Sequence, residues 1–123
     1  MPSQKQQLGT HGEALARDFL ENLGYQFIGQ QWHCRYGEID LIMMDQDELV
    51  FIEVKLRSSS LFGHPEDMIS RAKTHRLSKT ALCFLQKEKY DDVFWRFDTI
   101  AITIQENDYE ILHLKDTIRN DRL

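Results

Sequence analysis

One stretch limits what this chain can fold into. Residues 37–57 form two apolar arms around the polar tetrapeptide Asp45-Gln46-Asp47-Glu48. Arms rich in Ile, Leu, Val, Phe and Met suit a buried strand pair. A two-residue turn at Gln46-Asp47 sets Asp45 opposite Glu48. Counting outward then sets Asp40 opposite Glu53 and Glu38 opposite Lys55. Strand side chains alternate, so these four charges share a face with Ile42, Met44, Leu49 and Phe51. Ile39, Leu41, Met43, Val50, Ile52 and Val54 take the other face. The hairpin is therefore apolar on both sides except at one charged corner. A slip of one residue would send the charges to opposite faces.

Charges in a buried sheet are costly unless they are paired or bind a metal. Carboxylates on neighbouring strands, Asp40 and Glu53, suit a hard divalent cation such as Mg²⁺ or Mn²⁺. The spacing Glu53-x-Lys55 adds an ammonium on the same face. That combination suits phosphodiester hydrolysis, with Lys55 orienting water or steadying developing charge. The same residues also fit a plain ion-pair network of Lys55 with Glu53 and Glu38. There is no Gly-rich phosphate loop, nucleophile elbow or zinc spacing, and the five His are scattered.

At 123 residues, with 41% hydrophobic and 28% charged residues, the chain reads as one globular domain, 1–123, with its core at about 8–114 between polar tails. It has no apolar run of bilayer length and no apolar signal core at its start, so a cytoplasmic location is the default, with no membrane partner. Cys34 and Cys83 read as free thiols. Net charge is −5, yet residues 55–89 hold eight bases against three acids. A basic segment following an acidic corner can hold a phosphate backbone beside a metal site, although a solvated mixed-charge helix has the same composition.

Helical spacing of Leu8, Leu15, Ala16, Phe19, Leu20 and Leu23 predicts a helix over 8–23 that ends at Gly24. Glu13 lies at the edge of that stripe, where an i+4 pair with Arg17 is the ordinary expectation. A strand is expected at 25–32, then a connection through His33-Cys34-Arg35-Tyr36. Trp32 suits the core, while the aromatics and Arg35 near the corner could touch nucleic acid. Residues 57–67 read as a loop able to act as a flap, and 66–89 as a second helix. Its stripe is Leu77, Ala81, Phe84 and Leu85, with Lys73 at the edge, able to snorkel or to reach the corner. Strands are expected at 94–104 and 109–114, with a ragged tail from Lys115. The third and fourth strands, linked through a helix, can pair in parallel, giving an α/β sandwich with a mixed sheet.

At 37–42 and 51–57 the chain resembles the YraN family, uncharacterised protein family 0102, which is similar to Holliday-junction resolvases of the PD-(D/E)XK nuclease superfamily. The resemblance extends to Gly12-Glu13, Trp32, Lys73 and Arg96-Phe97-Asp98, over roughly 8–104. It implies a restriction-endonuclease-like core, a mixed β-sheet flanked by helices. It implies Asp40, Glu53 and Lys55 as a catalytic triad, with Glu13 joining Asp40 and Glu53 at the metal. Ile39 stands where the superfamily has Pro, Gln31 where the family often has Asn, and Leu56 where it often has Thr. The expectation is a metal-dependent DNA endonuclease using Mg or Mn, suited to branched or structured DNA. Arg57, Lys73, Arg76 and Lys79 are the expected nucleic-acid contacts, and a homodimer is left open. The alternatives are a non-catalytic nucleic-acid-binding module with the same fold, and a protein-interaction domain with a structural charged corner.

Overall fold

A computed structural model describes residues 4–57 and 71–118, with side chains from 11 to 57 and from 72 to 117. The expected flap at 58–67, the expected helix start at 66–70 and the Leu8 side chain lie outside the described residues. In chain order the elements are α1 (Gln4–Asn22), β1 (Gln26–Cys34), β2 (Gly37–Asp45), β3 (Glu48–Arg57), α2 (Arg71–Lys87), β4 (Phe94–Gln105) and β5 (Asp108–Ile118). The sheet runs β1-β2-β3-β4-β5. β3 and β4 are parallel, and the other neighbours antiparallel. The architecture is thus the expected α/β one, a mixed sheet flanked by helices, consistent with a restriction-endonuclease-like core.

The β2–β3 hairpin has the expected register, from Asp45↔Glu48 to Leu41↔Ile52. Gln46 makes the turn with a left-handed φ of 58°. Both faces of the hairpin are apolar because each meets a helix. On one face Ala16 and Leu20 of α1 pack with Leu41, Met43, Val50, Ile52, Ile100 and Ile102. On the other, Leu77, Ala81, Phe84 and Leu85 of α2 pack with Ile42, Leu49, Phe51, Trp95 and Phe97. Phe51 is central there, with ring centroids 5.6 Å from Phe84, 5.7 Å from Trp95 and 5.2 Å from Phe97. Trp32 packs edge-on against Phe84 at 5.3 Å, as a core residue does.

α1 ends where expected. Gly24 takes φ +98°, and Tyr25 N–H donates back to Leu20 O at 3.0 Å, closing the helix end. Leu23 falls past the last helical turn and is exposed rather than in the apolar stripe. β1 runs on through Cys34, leaving Arg35-Tyr36 as the turn.

β5 continues to Ile118, past the expected end at Leu114. Side-chain bonds, not apolar alternation, hold the extension. Asp116 N–H donates to Asp98 Oδ1 at 2.9 Å, and Thr117 Oγ1 donates to Phe97 O at 3.1 Å. Asp98, fully buried, is also bonded by Arg96 Nε at 2.9 Å and faces His113 Nε2 at 2.7 Å. Arg96 further donates to Tyr25 Oη at 2.8 Å, Asp45 Oδ2 at 3.3 Å and Glu48. Burial works to raise the Asp98 carboxyl, but bonds from His113, Arg96 and the Asp116 amide outweigh it and hold it low. This cluster ties the hairpin turn to β4, β5 and the residue leading into β1.

Candidate active site

The charged corner forms at a fork, the place where the β2–β3 ladder stops. Beyond Leu41↔Ile52, Asp40 Oδ2 accepts Val54 N–H at 2.8 Å. Side-chain alternation breaks at the same place. Ile39 packs on the α2 side with Ile42, although Leu41 lies on the α1 side. The expected placement of Ile39 on the face of Leu41 and Met43 is therefore corrected. The neighbouring strand is irregular at the same level. Gln31 has φ 50° and lies between the pairs Gln30↔Leu41 and Trp32↔Ile39.

α1 brings in Glu13. A Cβ on Gly12 would lie 3.3 Å from Leu56 Cδ1 and 3.8 Å from Val54 Cγ1, so the bare backbone lets the helix sit close to β3. Arg17 pairs with Glu21 at 3.4 Å instead of with Glu13. Glu13 Oε2 accepts from Gln31 Nε2 at 2.9 Å. Glu13, Glu38 and Asp40 line a cavity of about 170 Å³ with Val54 and Leu56.

A second cavity, about 180 Å³, is lined by Glu38, Glu53, Lys73 and Arg76, among others. Glu38 thus stands in the wall of both. Glu53 Oε1 pairs with Lys55 Nζ at 2.8 Å and with Lys73 Nζ. Its other oxygen, Oε2, is buried and has no hydrogen-bond partner. Lys73 therefore reaches the corner, as one of its two expected readings required. The expected ion pair of Lys55 with Glu53 is present too, so pairing and chemistry share the same atoms.

The electrostatics follow from this crowding. Asp40 is pushed up to about 6, first by burial and then by the charges of Glu13, Glu53 and Glu38, against the Val54 hydrogen bond. Burial depresses Lys55, but its contact with Glu53 prevails and raises it. Lys73 is lowered, by burial and by the neighbouring Lys55 ammonium, despite its own contact with Glu53.

The remaining expected contacts are dispersed. Arg76 lines the second cavity. Lys79 Nζ lies 5.4 Å from the Tyr36 ring centroid, in a separate groove. Arg57, half-buried at the end of β3, lines neither cavity. Sequence reasoning put Glu38 at the corner but not among the site residues, and it noted Gln31 only as a departure from the family's Asn, not as the partner of Glu13. Gln31 carries no local signal, because its partner is distant in sequence.

Divalent metal fits this donor set in part. Glu13, Glu38 and Asp40 line one cavity and Glu53 the adjoining one, where it keeps a buried oxygen unsatisfied, which suits a hard cation. As the side chains stand, no three Asp, Glu, His or Cys among the described residues form a ready metal cage. Glu53 is turned onto the two lysines, Glu13 onto Gln31, and Asp40 onto the Val54 amide.

The model of the Uncharacterised protein family UPF0102 matches residues 12–102. A UPF0102 protein of Geobacter sulfurreducens is 43% identical over 101 residues, 82% of this chain and 79% of the relative. One from Syntrophus aciditrophicus is 38% identical over 93% of this chain and 90% of its own length. One from Clostridium tetani is 37% identical over 97% and 99%, respectively.

Proposed function

The chain belongs to the Uncharacterised protein family UPF0102, and for it we propose metal-dependent hydrolysis of phosphodiester bonds in DNA. The observation that carries this reading is the shared wall at the fork. An acidic cavity of Glu13, Glu38 and Asp40 adjoins a cavity of Glu53, Lys73 and Arg76, with Glu38 in both. Cation and phosphate would then bind side by side.

Asp40, Glu53 and Glu13 are the residues that would hold Mg²⁺ or Mn²⁺. What such an ion supplies, when bound, is Lewis acidity toward a phosphoryl oxygen and acidification of water. The chain's own residues do the rest. Lys55 keeps its proton tightly beside Glu53 and can steady negative charge growing on the phosphate. Lys73 and Arg76 draw the phosphate into the second cavity. Gln31 fixes the Glu13 carboxylate. Branched or structured DNA is the substrate class that accompanies this reading.

A second reading is a nucleic-acid-binding module without turnover. The double pairing of Glu53 with Lys55 and Lys73 favours it, since those bonds occupy a metal ligand. Incubation with branched, single-stranded and duplex DNA, with Mn²⁺ or with chelator, separates the two. Strand cleavage that needs Mn²⁺ and disappears in Glu53→Gln is expected. Salt-sensitive binding with no cleavage in any arm leaves the binding module.

A further inference from the structure

A larger cavity lies outside both chambers at the fork. It is a groove of about 500 Å³ between the β1–β2 turn and α2, roomy enough for a nucleotide-sized group. Arg35, Lys79 and Lys87 line it, and no acidic residue does among the described residues. Tyr36 lies close to two of these cations. The Arg35 guanidinium lies 4.8 Å from its ring centroid and bonds its hydroxyl at 2.6 Å, and Lys79 Nζ lies 5.4 Å from the same centroid. Leu82, 47% exposed, adds apolar surface. Tyr36 also lines the cavity of Glu53 and Lys73, so the groove leads into the fork.

We propose that this groove holds a single-stranded DNA segment, with bases against Tyr36, Arg35 and Leu82 and phosphates on Lys79 and Lys87. The proposal rests on the nuclease reading of the fork and names the form in which DNA reaches it. Flat aromatic and guanidinium surfaces bind the face of a base, and base faces are free only in unpaired strands. A cationic groove with no acidic lining attracts any phosphate chain weakly, and only an unstacked strand gains the aromatic platform as well. A strand laid along it crosses Tyr36 and brings its next phosphodiester to Lys73 and Glu53.

Two thiols in the groove report its occupancy. Cys34 and Cys83 both line it and are half-buried, and Tyr36 N–H donates to Cys34 Sγ at 3.4 Å. The full chain, in chelator, is treated with a maleimide, and labelling of each cysteine is followed by mass spectrometry. A thymidine homopolymer is expected to slow labelling of both, while blunt duplex and inorganic polyphosphate protect little. Tyr36→Ala should weaken homopolymer binding by about tenfold or more through lost stacking. The exposed Lys87→Glu should also weaken it, with no packing lost. Equal protection by polyphosphate or duplex would overturn the proposal, as would unchanged affinity in both variants. The failures are distinguishable. Metal-dependent cleavage without thiol protection defeats the groove alone, whereas protection by the homopolymer without cleavage upholds the groove and defeats the nuclease reading.

Discussion

Asp40 accepts the backbone N–H of Val54 at 2.8 Å, on the strand that carries Glu53 and Lys55. A carboxylate thereby takes over an amide at the point where the strand ladder ends. The bond fixes Asp40 against β3 while burial and three neighbouring carboxylates oppose its charge.

Stability should record that opposition. Asp40 rises from 3.8 to about 6 on folding, so the native state holds this proton more tightly. The sign follows directly: its contribution is full below about pH 4 and is lost as pH climbs through about 6. Asp40→Asn keeps an acceptor for Val54 N–H and removes the charge. In chelator at pH 7.5 the variant should be more stable than the native chain by about 1–3 kcal/mol, and at pH 4 equal to it. Urea melts at the two pH values check this, and an Asn variant less stable at pH 7.5 would contradict it.

The same substitution should act oppositely on metal affinity. Calorimetric titration with Mn²⁺ is expected to show binding to the native chain and a loss of about tenfold or more in Asp40→Asn, since such sites use few protein ligands. Equal heats from the two proteins would place any metal elsewhere.

Lys55 is expected to matter in the transition state. Lys55→Ala should slow single-turnover cleavage by about 10²-fold or more, while DNA affinity in Ca²⁺ changes much less. Melting temperature on the same preparation guards against simple unfolding, because Lys55 also neutralises Glu53. A folded variant that cuts as fast as the native protein removes Lys55 from the mechanism.

The Arg96–Asp98 cluster should matter to stability and not to metal. Asp98→Ala strips the buried Arg96 of a bidentate partner and frees the Asp116 amide, so a loss of about 3–5 kcal/mol is expected. Mn²⁺ affinity of the folded fraction should be unchanged. Parallel loss of both would join the cluster to the site.

What the sequence disclosed depended on whether a residue's fate was set locally. Alternation and one short turn were enough to place Leu41 opposite Ile52, because the hairpin is sequential. The helical crossover made the parallel β3–β4 pair legible for the same reason. Asp40 was legible as a residue of the corner but not in its bond to Val54, since pattern rules assume that alternation continues to the strand's end. The Glu13–Gln31 bond joins two elements, and nothing near either residue announces the other. Lys115 and Asp116 looked like a tail because their strand is held by the distant Asp98.

The irregular outer strands have a consequence for contacts with other chains. β1 and β5 are the edges of the sheet, where unpaired backbone groups invite another strand. β1 carries a register shift between Phe27 and Gly29 and a left-handed Gln31. β5 pairs irregularly opposite Phe97 and Thr99, and Asp116 is left-handed with φ 58°. Each edge is therefore kinked, and the exposed Glu110 and Lys115 add charge along β5. The bends that place Glu13's partner and hold Asp98 thus also deny an incoming strand a long, straight edge on which to add.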